Sequence, residues 1–258
     1  MSAPYILWDW NGTLLDDTEA ALATLNEMIT VRGGQPIGME FYRDHFAFPV
    51  RPFYDKIGIV AHNEDEWNGI AHEYHEVYGR QPKKLNPLAV TALEMAKEAG
   101  CRQSIVSALR QDLLEADMAR NGVTKYFERI CGSDNLDGAS KLDRARDLLA
   151  ELSVPRSPFP RHSLRSAWSL PYGSRPPTRG GYVPHFVLIG DALHDKEVAD
   201  ALGIDCILCA QGSHAAWRLR AVAPTGDTLV DALKLALNAP APRTRRLAST
   251  FHKARCSS

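Results

Sequence analysis

The chain lacks net charge, a long apolar run and a cysteine framework, and each absence removes a class of function. Thirty basic residues face 31 acidic ones, leaving a formal charge of −1 over 258 residues. That balance gives no reason to invoke nucleic acid or an anionic membrane surface. No apolar stretch approaches the roughly 20 residues that a membrane helix needs. The opening Met1-Ser2-Ala3-Pro4 runs straight into an apolar segment and leaves no room for a signal peptide. The cysteines (Cys101, Cys131, Cys206, Cys209 and Cys256) are odd in number and scattered, which predicts reduced thiols and a cytoplasmic setting. Cys206 and Cys209 form a C-x-x-C inside the strand-like run Ile204–Cys209. Residues three apart on a strand face opposite sides, so ordinary sheet packing is expected there rather than zinc or redox chemistry.

What is present is an ordinary globular composition, 45% hydrophobic, long enough for one elaborated domain or two. The organising stretch is Tyr5-Ile6-Leu7-Trp8-Asp9-Trp10-Asn11-Gly12-Thr13-Leu14-Leu15-Asp16. Its four leading apolar residues read as a strand buried on both faces. The run stops at Asp9, and Gly12 follows as a turn residue. A carboxylate at the end of a buried strand is costly unless a cation or hydrogen-bond donors compensate. By itself, Asp9 is equally a helix N-cap or a catalytic group.

Beyond Asp16 the period becomes helical, with Thr18 as a candidate N-cap and Ala21, Leu22, Leu25, Met28 and Ile29 on one face. From Met39 to about Gln81 the sequence stays helical and aromatic, without a strand signal. Residues 17–86 therefore read as a helical insert. From Pro87 strands and helices alternate: helix 89–99, strand 103–107, helix 111–120, strand 127–131, helix 141–152, strand 186–190, helix 197–202, strand 204–209, helix 228–237. This alternation predicts an α/β fold, a doubly wound parallel-sheet core over residues 1–16 and 87–238 carrying the inserted helical domain. Residues 154–184 are rich in Pro, Ser, Gly and Arg and read as a disordered insertion. Residues 239–258 read as a flexible tail. Neither basic stretch carries an aromatic stacking platform for nucleic acid.

Asp9, Ser107 and Asp191 each follow an apolar strand, and Lys141 opens a helix. In a parallel sheet the carboxyl ends of strands share one edge, where ligands bind. Two carboxylates there suit a hard divalent cation such as Mg2+. A hydroxyl and an ammonium supply donors for a dianion, a set that suits phosphoryl transfer. The carboxylate nearest phosphorus can act as a nucleophile.

These segments (Asp9-Trp10-Asn11-Gly12-Thr13, Ser107, Lys141 and Gly190-Asp191-Ala192-Leu193-His194-Asp195) resemble, in order, the four motifs of the haloacid dehalogenase superfamily, most nearly its phosphoglycolate-phosphatase-like branch. The helical insert resembles that family's cap. The resemblance implies roles. Asp9 is the nucleophile and a metal ligand, and Asn11 lends its backbone carbonyl to Mg2+. Ser107 and Lys141 hold the phosphate, and Lys141 screens Asp9. Asp191 completes the metal site, with Asp195 orienting it or binding a metal water. Gly12 permits the close turn, Thr13 donates to the phosphate, and Arg51 in the cap contacts the substrate anion. A small phosphorylated metabolite is the expected partner, and a monomer or homodimer the expected assembly.

One position departs from the family pattern. Its phosphatases carry a second aspartate two residues after the nucleophile, which protonates the leaving group and then activates water. Here it is Asn11, and an amide does neither. General acid–base help is worth about 100- to 10,000-fold. Three readings stay open. Another group substitutes, with Asp16, Asp17 and His194 nearest in sequence, or the enzyme is slow. The substrate is an acyl phosphate or a phosphonate that needs no acid; the phosphonate case calls for a Schiff-base lysine, for which the cap offers Lys56, Lys83 and Lys84. Or the protein binds phosphorylated ligands without turnover.

Overall fold

The computed structural model describes residues 3–133, 141–153 and 184–240. Its core is a six-stranded parallel sheet. The chain runs β1 (Tyr5–Trp8), β2 (Leu15–Asp16), α1 (Thr18–Val31), α2 (Met39–His45), α3 (Arg51–Lys56), α4 (Glu64–Arg80), β3 (Lys84–Leu85), α5 (Ala89–Glu98) and β4 (Arg102–Arg110). It continues through α6 (Gln111–Arg120), β5 (Arg129–Ser133), α7 (Lys141–Ser153), β6 (Phe186–Gly190), α8 (Leu193–Leu202), β7 (Asp205–Cys209), α9 (Ala216–Arg220), β8 (Thr225–Gly226) and α10 (Leu229–Asn238). The sheet order is β5-β4-β1-β6-β7-β8. The chain winds outward from β1 through β4 and β5, then returns to its other side for β6, β7 and β8. Such a reversal opens a crevice at the carboxyl ends of the central strands.

Burial explains why β1 lies at the centre. All four of its residues are buried. Ile6 and Trp8 pack on one face with Ile105, Val187 and Ile189, while Tyr5 and Leu7 pack on the other with Val106, Phe186 and Leu188. Each large apolar side chain contributes about 1.5–3 kcal/mol by leaving water. Only a strand covered by helices on both faces collects that gain from every residue. Trp8 also donates its indole N–H to the Gln103 side chain at 2.9 Å. Trp8 and Trp10 are fully buried, so both pack the core. Cys206 and Cys209 belong to the clusters on opposite faces of the sheet, as the strand period requires.

Helices α1 to α4 lie between β2 and β3, which pair antiparallel through Leu15 and Leu85. Around Leu25, Met28, Tyr42, Phe53 and Ile59 these helices have an apolar cluster of their own. Thr18 is not the N-cap of α1. That position is Asp17, whose carboxylate makes no capping bond because it turns back toward Asn11, Gly12 and Tyr78. The expected disorder at 154–184 and the tail from 239 lie almost wholly outside the described residues. No helix among the described residues is long and apolar enough to cross a membrane.

Candidate active site

The strand registers bring the motif residues together. Trp8 lies opposite Ile105 of β4 and Ile189 of β6. Asp9 and Asp191 therefore follow the tips of neighbouring strands β1 and β6, and Ser107 lies beside them within β4, past its last pairing with β1 and where its register with β5 is interrupted. The backbone N–H of Asp9 still donates to the Ile189 carbonyl at 2.9 Å, which fixes where its side chain starts. Lys141 opens α7 and reaches in from the side. Its Nζ sits 2.7 Å from Asp9 Oδ1 and 2.6 Å from Asp195 Oδ1, with all three groups buried.

Each carboxylate is held differently. Asp195, at the start of α8, accepts backbone N–H bonds on Oδ2 from Asp191 at 3.1 Å and Ala192 at 3.0 Å. Asp191 accepts from the Ser213 N–H and hydroxyl, both at 2.6 Å on Oδ2, and from the Thr13 hydroxyl at 3.2 Å on Oδ1. Gly12 adopts φ +72°, and a Cβ there would collide with the Asp191 carboxylate. A Cβ on Gly212 would strike the same group. Both glycines let backbone approach a carboxylate from sides where no side chain fits.

Electrostatics here are those of a charge surplus. Oxygens of Asp9, Asp191 and Asp195 lie within 4.8 Å of one another, and all three residues are buried. Among the described residues, Lys141 is the ammonium that pairs with them. Burial pushes the Asp9 carboxyl well above the usual carboxylate range; Lys141 opposes this, and Asp195 and Asp191 reinforce it. Burial, then repulsion from Asp195, raises Asp191 to about 6. Lys141 is pulled down by burial but carried up further by Asp195 and Asp9, so it stays charged. Three oxygen-donor groups in one buried place with a single ammonium fit a hard divalent cation.

Above the carboxylates lies a cavity of about 200 Å³. Asp9, Asn11, Gly12, Ser107, Lys141, Asp191 and Asp195 all line it. Ser107 Oγ accepts from the Leu109 N–H at 3.1 Å, which leaves its O–H to donate into the cavity. Other expectations shift. Thr13 is fully buried and holds Asp191 rather than a ligand. The Gly12 N–H is taken by Asp17 Oδ1 at 2.6 Å. Arg51 is not brought to the site: it pairs with Glu64 at 2.7 Å, and its guanidinium lies 5.3 Å from the centre of the Trp67 ring. A nearby carboxylate and an aromatic face claim it first.

Of the groups near Asn11 in sequence, Asp16 pairs with Lys84 at 3.4 Å. His194 lines the cavity and packs on Phe48. Asp17 lines it too, accepting from the Asn11 amide at 2.7 Å and from the Tyr78 hydroxyl. Lys56 lies over Phe41, and Lys83 bonds to backbone carbonyls of Tyr78 and Gln81. None of the three cap lysines lines the cavity, so the cap offers it no Schiff-base amine. Sequence reasoning missed Ser213 and Tyr78. Ser213 had a signal, since it closely follows a buried strand, β7, on the same sheet edge.

A parallel sheet with one reversal, a buried carboxylate at its central strand tip and an inserted set of helices are the frame of the site, and the sequence places that frame in a family. Residues 6–154 match the family described as haloacid dehalogenase-like hydrolase, and residues 164–236 a second one described as HAD-hydrolase-like. The chain belongs to the haloacid dehalogenase-like hydrolases. Among curated proteins it is similar to a phosphoglycolate phosphatase of Rhodobacter capsulatus, 24% identical over 81% of this chain and 85% of that protein. Among solved structures, a predicted phosphatase from Clostridium acetobutylicum superposes with a TM-score of 0.69 at 16% identity, over 93% of this chain and all of that one. A predicted phosphoglycolate phosphatase from Haemophilus somnus gives 0.62 at 15%, over 91% and 98%. At such identities the two structures speak for the fold alone.

Proposed function

We propose that this chain hydrolyses a small phosphomonoester with Mg2+, through an aspartyl phosphate on Asp9. The observation that carries this reading is Asp9 itself: a buried carboxylate, facing a cavity, held 2.7 Å from a charged lysine and clustered with two further carboxylates. The similarity to a phosphoglycolate phosphatase of Rhodobacter capsulatus supports it.

Asp9, Asp191 and the Asn11 carbonyl would hold the metal, which supplies positive charge to the phosphoryl oxygens when bound. Asp195 keeps Lys141 and the α8 terminus in place through its two oxygens. Lys141 orients Asp9 and, with the Ser107 hydroxyl, donates to the phosphoryl group. Asp9 attacks phosphorus, the bond to the leaving oxygen breaks, and water later releases phosphate and restores the carboxylate. Closure of the cap over the bound substrate would exclude bulk water, which strengthens each of these interactions.

The test is hydrolysis of p-nitrophenyl phosphate and acetyl phosphate with Mg2+, wild type beside Asp9→Asn. Turnover abolished by Asp9→Asn, with one phosphoryl group on wild-type protein by intact mass, is the expected result. Turnover that survives Asp9→Asn overturns the mechanism. Asn11 favours one rival, a protein that binds phosphorylated ligands without turning them over. Tight binding of a phosphate analogue with no turnover of either substrate would establish that reading instead.

A further inference from the structure

The far wall of the cavity is aromatic, formed by Tyr42, Phe46, Phe48, Tyr54, Trp67 and Tyr74. An apolar cavity of about 150 Å³ holds one benzene molecule. A space of about 200 Å³ therefore suits one ring beside a phosphoryl group. Charge points the same way. Lys141 is committed to the phosphoryl end. The cap's cations are engaged elsewhere: Arg51 with Glu64, Arg43 with the carbonyls of Gly212 and Gln211, and Arg32 with Glu73. Among the described residues, no guanidinium or second ammonium lines the cavity to receive a carboxylate on the substrate. The third observation is chemical. Asn11 cannot protonate a leaving group, which favours a leaving oxygen that is stable as an anion.

Resting on the phosphatase reading above, we propose that the substrate is an aryl phosphomonoester, its phosphoryl group at Asp9 and its ring against the aromatic wall. An Asp9 oxygen bonds to phosphorus as the P–O bond to the ring oxygen breaks. The electron pair leaves on a phenolate, which takes its proton from water. A tyrosine-like phenol has a pKa near 10, so its anion departs without the acid that an alkoxide needs. Water then cleaves the aspartyl phosphate, giving inorganic phosphate and a proton. With no strong base beside it, this second step is the slow one, and a burst of phenol precedes steady turnover.

Titration calorimetry with Mg2+ present, comparing phenylphosphonate, methylphosphonate and phosphonoacetate, tests the ligand class without requiring turnover. Phenylphosphonate should bind about 10- to 100-fold tighter than methylphosphonate, the gain from burying one ring. The half-buried Phe48 and Val50 line the cavity. Phe48→Ala should narrow that ratio, and Val50→Arg should shift preference toward phosphonoacetate. Equal or weaker phenylphosphonate binding by wild type overturns the aryl proposal, even if alkyl phosphates are hydrolysed. Preferential phenylphosphonate binding without turnover or burst on phenyl phosphate keeps the aryl ligand and overturns the hydrolase reading. A burst of phenol from wild type, absent in Asp9→Asn, supports both.

Discussion

Asn11 is a structural donor where the family pattern has an acid. Its Nδ2 gives hydrogen bonds to Asp17 Oδ2 at 2.7 Å and to the Tyr78 hydroxyl at 3.0 Å. Asp17 is buried, which raises its pKa, and it depends on donors from Asn11, Gly12 and Tyr78. Asn11→Asp would remove one donor and set two carboxyl groups face to face. The expected cost is about 1–3 kcal/mol of stability, the range for a buried polar group that loses its partner. The same change restores a group able to carry a proton. It should raise kcat on an alkyl phosphate by up to about 100-fold; with an aryl phosphate it should leave the rate of the phenol burst little changed and speed the slower turnover that follows, where the restored carboxylate activates water. Urea midpoints and the two rates, measured on wild type and Asn11→Asp, check both halves. The double change Asn11→Asp with Asp17→Asn exchanges donor and acceptor and should recover much of the stability. A phenol burst accelerated as much as alkyl phosphate turnover would mean that leaving-group protonation is not what Asn11 lacks.

The loop between β7 and α9 links cap and core. Arg43 of α2 donates to the Gly212 carbonyl at 3.0 Å, and its own carbonyl accepts from the Ala215 N–H and Arg218 Nη1. Ser213 of the same loop clamps Asp191. His214 follows it, 1% exposed, its Nε2 without a hydrogen-bond partner among the described residues. Burial, then the nearby Arg218 charge, lowers its pKa to about 4, while Asp195 opposes them more weakly. As pH falls, the unfolded chain therefore takes up this proton first, near its ordinary value of about 6.5. Stability from this residue is intact above that value and is lost as pH falls toward 4. The loss reaches about 2 kcal/mol by pH 5. Denaturation at pH 7.5 and 5 should show this slope in wild type and a flatter one in His214→Phe; parallel slopes would refute it. This element also shows what could be read from the sequence. β1 and β6 were legible because an apolar run that stops at a carboxylate is a strong signal. β2, β3 and β8 are two residues each, too short to show a period. Gln211-Gly212-Ser213-His214 has no period either, and only its place after a strand marks it. Arg51 was misplaced because a sequence shows a cation without showing that Glu64 and Trp67 claim it.

Across the whole molecule, Asp9 and Asp191 come from distant parts of the chain and meet only because β1 and β6 are sheet neighbours. Folding thus concentrates three carboxylates that would be dispersed in the unfolded chain. Lys141 offsets one of their charges. Breaking that pair, as in Lys141→Met, leaves buried carboxylates uncompensated and should cost about 3–5 kcal/mol without metal. A cation that binds the assembled cluster and not the unfolded chain stabilises by mass action, about 2.7 kcal/mol at 100 times its dissociation constant. For a chain of this size each kcal/mol moves the melting temperature by about 2–4 °C. Saturating Mg2+ should therefore raise the melting temperature by roughly 5–10 °C, and EDTA should reverse the shift. Asp191→Asn should abolish most of that Mg2+ response while melting no lower than wild type in EDTA, because it removes one of the repelling charges. A Mg2+ shift that persists in Asp191→Asn would place the cation away from these strand tips. No shift in wild type would mean that Lys141 and the surrounding N–H donors already balance the cluster, and the case for metal-assisted chemistry would fall with it.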